Sequence, residues 1–320
     1  MTGSAEESEK HMFRMHQRAA VLAAATMTGA LLLTACGSGG EDGGGSGDSG
    51  KKPDSLASDG RKADGAKGKN EADIGTLNGS LKEGGAKMQD FAKASAPEWN
   101  FARANNNDPC WPENPFDENG KPKPGGEMKF WPDSDGGCAE HGGDFPTFWT
   151  GRKCTADEIR ITYSMYQATS GFKSAGHPHD FEHIDVIWKK NGSDWTRSDL
   201  WLSQHSGHEK VSWKDAESWN ADRGSAGKGL EFPRVFVGYG AHALFNDQEV
   251  GLKDIASATN DNEYRQADYP AWSDEGGGLV EVHPDGDMYK KFDENDGSWG
   301  GTADPSILAD TMCDDEKHSR

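Results

Sequence analysis

The chain has 320 residues and a formal net charge of −20, with 54 Asp and Glu against 34 Lys and Arg. That balance excludes nucleic acid and bare anionic lipid as partners, because attraction to phosphate needs Lys and Arg. It suits cation binding, and it also keeps an exported protein soluble.

Lys10, Arg14 and Arg18 precede an apolar run from Ala19 to Leu33. The run is shorter than the ~20 apolar residues of a membrane-spanning helix, so residues 1–35 read as a secretory signal. Met12 and Met15 are alternative starts that would remove three Glu from its front. The run ends in Leu33-Thr34-Ala35-Cys36, which resembles a bacterial lipobox. The resemblance implies cleavage before Cys36, lipid attachment to it, and an extracellular position on the bacterial cell surface, anchored in the cell's own membrane.

Residues 37–50 hold eight Gly in fourteen positions, and no aromatic residue occurs from 37 to 90. Such a stretch cannot bury enough apolar area to offset its chain entropy, so 36–90 reads as a flexible tether. Residues 1–35 are charge-neutral and 36–86 carry nine acidic against seven basic residues, which leaves −18 in the remainder. All eleven Trp lie at or beyond Trp99, and residues 91–315 read as the folded domain.

Within that domain, apolar residues come in short runs separated by Gly, Pro, Asp and Asn. Ile159–Met165 alternates with period two, as does Glu182–Trp188, whose Ile184, Val186 and Trp188 share one face while His183 and Asp185 share the other. Arg234–Tyr239 and Gly278–Val282 are further strands, and 210–222 and 305–312 are candidate short helices. Many short strands with turn signals predict a mainly β domain, a β-sandwich with peripheral helices. Trp188, Trp201, Trp213 and Trp219 could stack on sugars, although Trp at strand positions belongs more often to the core, and Trp188 is read so.

The densest chemistry is Gly176-His-Pro-His-Asp-Phe-Glu182, at the mouth of the second strand. His177, Asp180 and Glu182 can converge on one cation if this stretch forms a loop that curls back. Two carboxylates and an imidazole suit calcium, magnesium or manganese more than structural zinc. Acid–base work by His179 with Glu182, or a solvated strand end, fits the same residues. There is no G-x-S-x-G elbow and no phosphate-loop or dinucleotide motif, so the chain is not expected to be an enzyme, with a metal-dependent hydrolase as the alternative. Beside Cys36, four Cys remain, and in an exported chain they read as two disulfides with three possible pairings.

Gly176–Glu182 resembles the heptapeptide of the necrosis- and ethylene-inducing peptide-like proteins, usually Gly-His-Arg-His-Asp-Trp-Glu. Other matches follow in order: Asn107–Pro112 with Asp117–Gly120, Gly136–Cys138, Tyr163–Tyr166, Leu202–His208, Phe232–Val235 through Ala241–Leu244, and Trp299–Pro305. The resemblance covers about residues 100–312. It implies an actinoporin-like β-sandwich cytolysin, a secreted monomeric toxin. It also implies a bound Ca2+ or Mg2+ and recognition of glycosylated membrane lipids, of the plant sphingolipid kind, or another cell-surface glycan. Carried over, His177, Asp180 and Glu182 match the metal positions, and His179 and His242 stand near the metal and the lipid headgroup. The family's disulfide implies Cys110–Cys138, leaving Cys154–Cys313. Two departures stand out: Thr169 replaces a family Asp ligand, and Pro178 replaces the usual Arg. With the lipid anchor, these keep a second reading open, a non-lytic, surface-tethered glycan- or lipid-binding module.

Overall fold

The computed structural model describes residues 80–82, 86–133, 136–205, 207–220, 224–248, 262–265 and 278–318. The signal segment, Cys36 and most of the expected tether lie outside these residues.

The described chain forms two sheets. The first is built on three long antiparallel strands, β4 (Glu158–Phe172), β5 (Ala175–Asn191) and β6 (Asp194–Gln204). On one side β3 (Thr147–Thr155) pairs with β4, and β13 (Leu279–Glu281) runs parallel to β3. On the other side β6 is lined by β1 (Ser80–Lys82) and β7 (Gly207–Ser212). The second sheet has the order β12 (Glu263–Tyr264), β2 (Glu98–Arg103), β10 (Phe232–Val237), β8 (Glu217–Trp219) and β9 (Ala226–Lys228), with β11 (Leu244–Phe245) also on β10. Four short helices lie outside the sheets: α1 (Met88–Ala94), α2 (Asp287–Asp293), α3 (Pro305–Thr311) and α4 (Asp315–His318).

The sheets share one core. Ile161, Tyr163, Ile184 and Val186 from the first and Val235 and Val237 from the second are wholly or almost wholly buried in a single cluster. Each fully buried aliphatic side chain contributes roughly 1.5–3 kcal/mol, so this seam is what joins the layers into a sandwich. The alternation Ile184, Val186, Trp188 supplies its centre, and Trp188 is core, with 0% exposure. A second cluster under the first sheet's other face gathers Phe148, Tyr166, Phe181, Phe292 and Trp299.

Three expectations need correction. Residues 210–222 are not helical: β7 ends at Ser212, a single 3₁₀ turn spans Trp213–Asp215, and β8 follows. Trp213 is buried there with its indole N–H donating to Leu230 O at 2.8 Å, and Glu217–Trp219 pair with β9 and β10 instead of continuing as a helix. The folded part also starts earlier than residue 91, because β1 gives the first residues of β6 a backbone partner and α1 starts at Met88. Finally, Gly176–Glu182 is not a loop. β5 begins at Ala175 and pairs with β4 through Ser170↔His177 and Thr169↔Pro178. β6 reaches β5 only from Ile184 onward, so Pro178 sits where no second strand needs its missing N–H.

Helix α3 matches its expectation. Asp304 caps it, accepting from Ser306 N at 2.8 Å and Ser306 Oγ at 2.6 Å, and Pro305 opens the first turn. The disulfides are Cys110–Cys138 and Cys154–Cys313, the pairing that the resemblance implies.

Candidate functional site

The heptapeptide residues fall on two faces of β5. Asp180 and Glu182 share the inner face with Ile184, whereas Phe181, His183 and Asp185 take the outer one. His179 breaks the regular strand with φ of 63°, an uncommon conformation for a residue other than glycine. Its environment holds it there. Tyr166 Oη lies 2.8 Å from His179 Nδ1, and Trp299 packs edge-on to the ring at 5.7 Å. Burial pushes the Tyr166 hydroxyl well above its ordinary pKa, so it stays protonated and hydrogen-bonds with Nδ1. Burial, and then the charge of His177, lower the His179 pKa, which favours the neutral ring. His179 Nε2 lies against the glycine loop beside it, where a methyl group at Gly125 would stand 3.1 Å away.

Asp180 and His242 are brought together from opposite sheets. His242 stands in the turn between β10 and β11 with φ of 59°. Gly171 N donates to Gly240 O at 2.6 Å, which ties this turn to the end of β4. His242 Nδ1 and Asp180 Oδ2 are 2.9 Å apart, and both side chains are buried, at 3% and 7% exposure. A carboxylate accepts at Nδ1, so Nδ1 carries a proton, and in the neutral ring Nε2 is an open lone pair. That Nε2 is buried with no partner among the described residues. A carboxylate–imidazole pair with its far nitrogen open is suited to hold a metal ion or to move a proton.

Glu182 is buried two residues on and accepts from Ser203 Oγ, which also receives the His183 backbone N–H at 3.1 Å. His177 is exposed, with Nδ1 2.9 Å from the carbonyl oxygen of His179. Asp180 therefore meets His242 directly, while Glu182 and His177 are engaged by their own neighbours. Thr169, at the position of the family Asp, is 1% exposed, and its Oγ1 lies 3.4 Å from Cys138 Sγ and 3.6 Å from Cys110 Sγ. It packs against the disulfide.

The loop 125–131 runs beside this end of β5. Gly126 N donates to Ala168 O at 2.7 Å, and Lys173 N donates to Lys129 O at 2.7 Å. At its tip, Phe130 and Trp131 are 67% and 58% exposed, the large apolar side chains that stand in solvent among the described residues. Lys173 Nζ lies 5.2 Å from the Phe130 ring centre, and Tyr239 Oη donates to Pro132 O at 2.7 Å, which fastens the loop to the strand end that carries the His242 turn.

A second cluster lies on the outer face of the same strand. His183, Asp185, His208 and His318 place one ligand atom each within 4.8 Å of one another and could hold a metal ion. His183 and Asp185 face away from Asp180, as the alternation predicts. The sequence reading did not find the cluster itself. Its signal was His183-x-Asp185 on one strand face beside His208 on a nearby strand, while nothing marked His318. Burial, then the charge of His208, push His183 well below its ordinary pKa. Burial opposes ionisation of Asp185, yet the charge and hydrogen bond of His318 hold its carboxyl well below the usual range.

No family model matches the chain, and no curated protein sequence matches it. Solved structures similar to it include Necrosis and Ethylene inducing Protein 2 from the causal agent of cocoa's Witches Broom disease. That likeness has 13% identity and a TM-score of 0.47, covering 73% of this chain and 92% of that one. A non-toxic HaNLP3 protein is 18% identical with a TM-score of 0.45, covering 69% and 86%. NLPPya in complex with mannosamine is 19% identical with a TM-score of 0.38, covering 53% and 72%. The sandwich assignment itself comes from the two sheets and the core they share.

Proposed function

We infer that the protein is a cation-dependent binder of glycosylated lipid headgroups at membrane surfaces, held on its own cell through a lipid on Cys36. The observation that carries this reading is the Asp180–His242 pair, buried between the two sheets with His242 Nε2 open. Asp180 would anchor the cation with His242 alongside; Glu182 and His177 would join by leaving Ser203 Oγ and the His179 carbonyl, and carboxylate-rich sites of this kind suit Ca2+ or Mg2+. The ion would supply the positive charge that engages sugar hydroxyl and phosphate oxygens.

The exposed Phe130–Trp131 tip supports a membrane target. Aromatic side chains favour the bilayer interface, and this tip adjoins the heptapeptide hairpin. A flexible tether before the domain would let it reach an opposing surface. Lysis is the stronger form of the reading, and saturable binding without lysis is the weaker form.

The test uses dye-filled vesicles with and without glycosyl inositol phosphoceramide, in calcium and in a chelator. Binding that needs both lipid and calcium supports the reading, and leakage distinguishes the lytic form from the non-lytic one. Equal association with both vesicle types overturns it. Turnover of a phosphodiester or glycoside that Asp180→Ala abolishes would instead establish the hydrolase alternative.

A further inference from the structure

We propose that His183, Asp185, His208 and His318 form a closed, four-ligand site for a zinc-class divalent ion, which fastens the C-terminal helix to the outer face of the first sheet. This site faces away from Asp180 and Glu182 and does not depend on the function inferred for them.

Three separate elements converge here. His183 and Asp185 stand two residues apart on β5 and so point to one face. His208 comes from β7, which reaches the same level through Ser203↔His208. His318 ends α4. Solvent takes no part, since the side chains of Asp185, His208 and His318 are at most 1% exposed.

The distances suit one small ion. His183 Nε2 and His208 Nε2 are 2.8 Å apart, His318 Nε2 and Asp185 Oδ1 are 2.9 Å apart, and His208 Nε2 and Asp185 Oδ2 are 3.6 Å apart. Tetrahedral ligands with bonds of ~2.0–2.1 Å stand about 3.3 Å from one another. These three contacts, which involve both Asp185 oxygens, lie on either side of that length, and one ligand atom from each of the four residues lies within 4.8 Å of the others. Three imidazole nitrogens and one carboxylate oxygen are the donors of zinc and its neighbours, whereas calcium takes six to eight oxygens.

Proton accounting is compatible with the same ion. Thr311 Oγ1 donates to Ile307 O at 2.8 Å, so towards His318 Nδ1, 3.1 Å away, it can only accept. His318 Nδ1 therefore carries a proton, and Nε2 faces the Asp185 carboxylate, which already accepts from Thr162 Oγ1; Nε2 meets it as the second N–H of a charged ring or, with a metal ion bound, as a lone pair on that ion. The buried carboxylate needs a positive charge here, which a proton on Nε2 or a metal ion supplies. The His183–His208 contact sets two ring nitrogens against each other. One metal ion would replace both hydrogen-bonded contacts at once and give Asp185 Oδ2, buried with no hydrogen-bond partner among the described residues, a charge to meet. The Nδ1 atoms of His183 and His208 have no such partner with or without the ion. Thr311 and Thr162 then act as the outer partners that fix ligand orientation. With four protein ligands and no open position, the site is structural. It adds a third fastening to a segment already held by Cys154–Cys313 and by Arg160, which donates to Met312 O at 3.0 Å and to Asp315 at 2.6 Å.

The test is metal binding by the full chain, with Zn2+ and Co2+ as probes. Wild type and Asp180→Asn are expected to bind one Zn2+ against a chromophoric chelator. They should gain thermal stability from it and give the intense visible absorption of tetrahedral Co2+. His208→Gln and His318→Gln should bind roughly 100-fold or more weakly. Should either variant fail to fold, the wild-type Co2+ spectrum decides alone. No zinc binding by wild type, a weak octahedral Co2+ spectrum, or undiminished affinity in a folded His318→Gln would overturn the proposal and leave a hydrogen-bonded polar core.

Discussion

His242→Ala and Asp180→Ala remove opposite halves of one buried contact, and they should not be equivalent. His242→Ala leaves a carboxylate at 5% exposure without the imidazole that donates to it at 2.9 Å. Stranding a buried carboxylate without its partner costs about 3–5 kcal/mol. Asp180→Ala leaves a neutral imidazole with one orphaned N–H, which costs about 1–3 kcal/mol. For a domain of this size each kcal/mol moves Tm by roughly 2–4 °C. Without divalent cations, His242→Ala should therefore melt about 6–20 °C below wild type and Asp180→Ala about 2–12 °C below. Calcium should reverse the contrast. In His242→Ala an ion can neutralise the stranded carboxylate, and at a hundredfold excess over its Kd it restores about 2.7 kcal/mol. In Asp180→Ala the ligand is gone and no rescue follows. The assay is thermal denaturation followed by circular dichroism, in chelator and in millimolar calcium. Equal calcium shifts in both variants, or none in wild type and His242→Ala, would refute the reasoning.

Phe130→Ser with Trp131→Ser should leave Tm within about 1 °C, since both side chains stand mostly in solvent. It should weaken vesicle binding by roughly 10-fold or more, from the ~1.5–3 kcal/mol of burying one large apolar side chain, read by sedimentation with vesicles. Thr169→Asp should not raise calcium affinity by calorimetry, because that side chain packs on the Cys110–Cys138 disulfide; a buried, unpaired carboxylate there should lower Tm by several degrees. Asp304→Ala should cost about 1 kcal/mol through the lost cap of α3, whereas Asp304→Asn keeps an accepting oxygen. Burial raises the Asp304 pKa, so its ionised form is disfavoured in the fold above that raised value, and the penalty disappears as pH falls towards the unfolded value. Asp304→Asn should therefore gain on wild type at neutral pH and lose that advantage near pH 4, measured by denaturant unfolding across pH.

The strands were legible where alternation met a shared core. Ile184, Val186 and Trp188 predicted their own face, and His183 and Asp185 the opposite one. Residues 210–222 misled because Trp213 and Ala216 satisfy a helical spacing, while the decisive contact, Trp213 to Leu230 O, is tertiary. The hairpin state of Gly176–Glu182 was hidden by Gly176 and Pro178, which signal a loop unless one knows that β6 stops short of them. His242 reached the site reading only through the resemblance, since no local pattern joins it to Asp180 across 62 positions. His318 was invisible for the same reason: its partners lie more than a hundred residues away.

Calorimetric titration of the lipid-free full chain with calcium tests the central claim most directly. The account predicts one calcium per chain, lost in Asp180→Asn and kept in His318→Gln, which keeps the inner-face site apart from the outer cluster. No binding heat at millimolar calcium, or unchanged binding in Asp180→Asn, would contradict it.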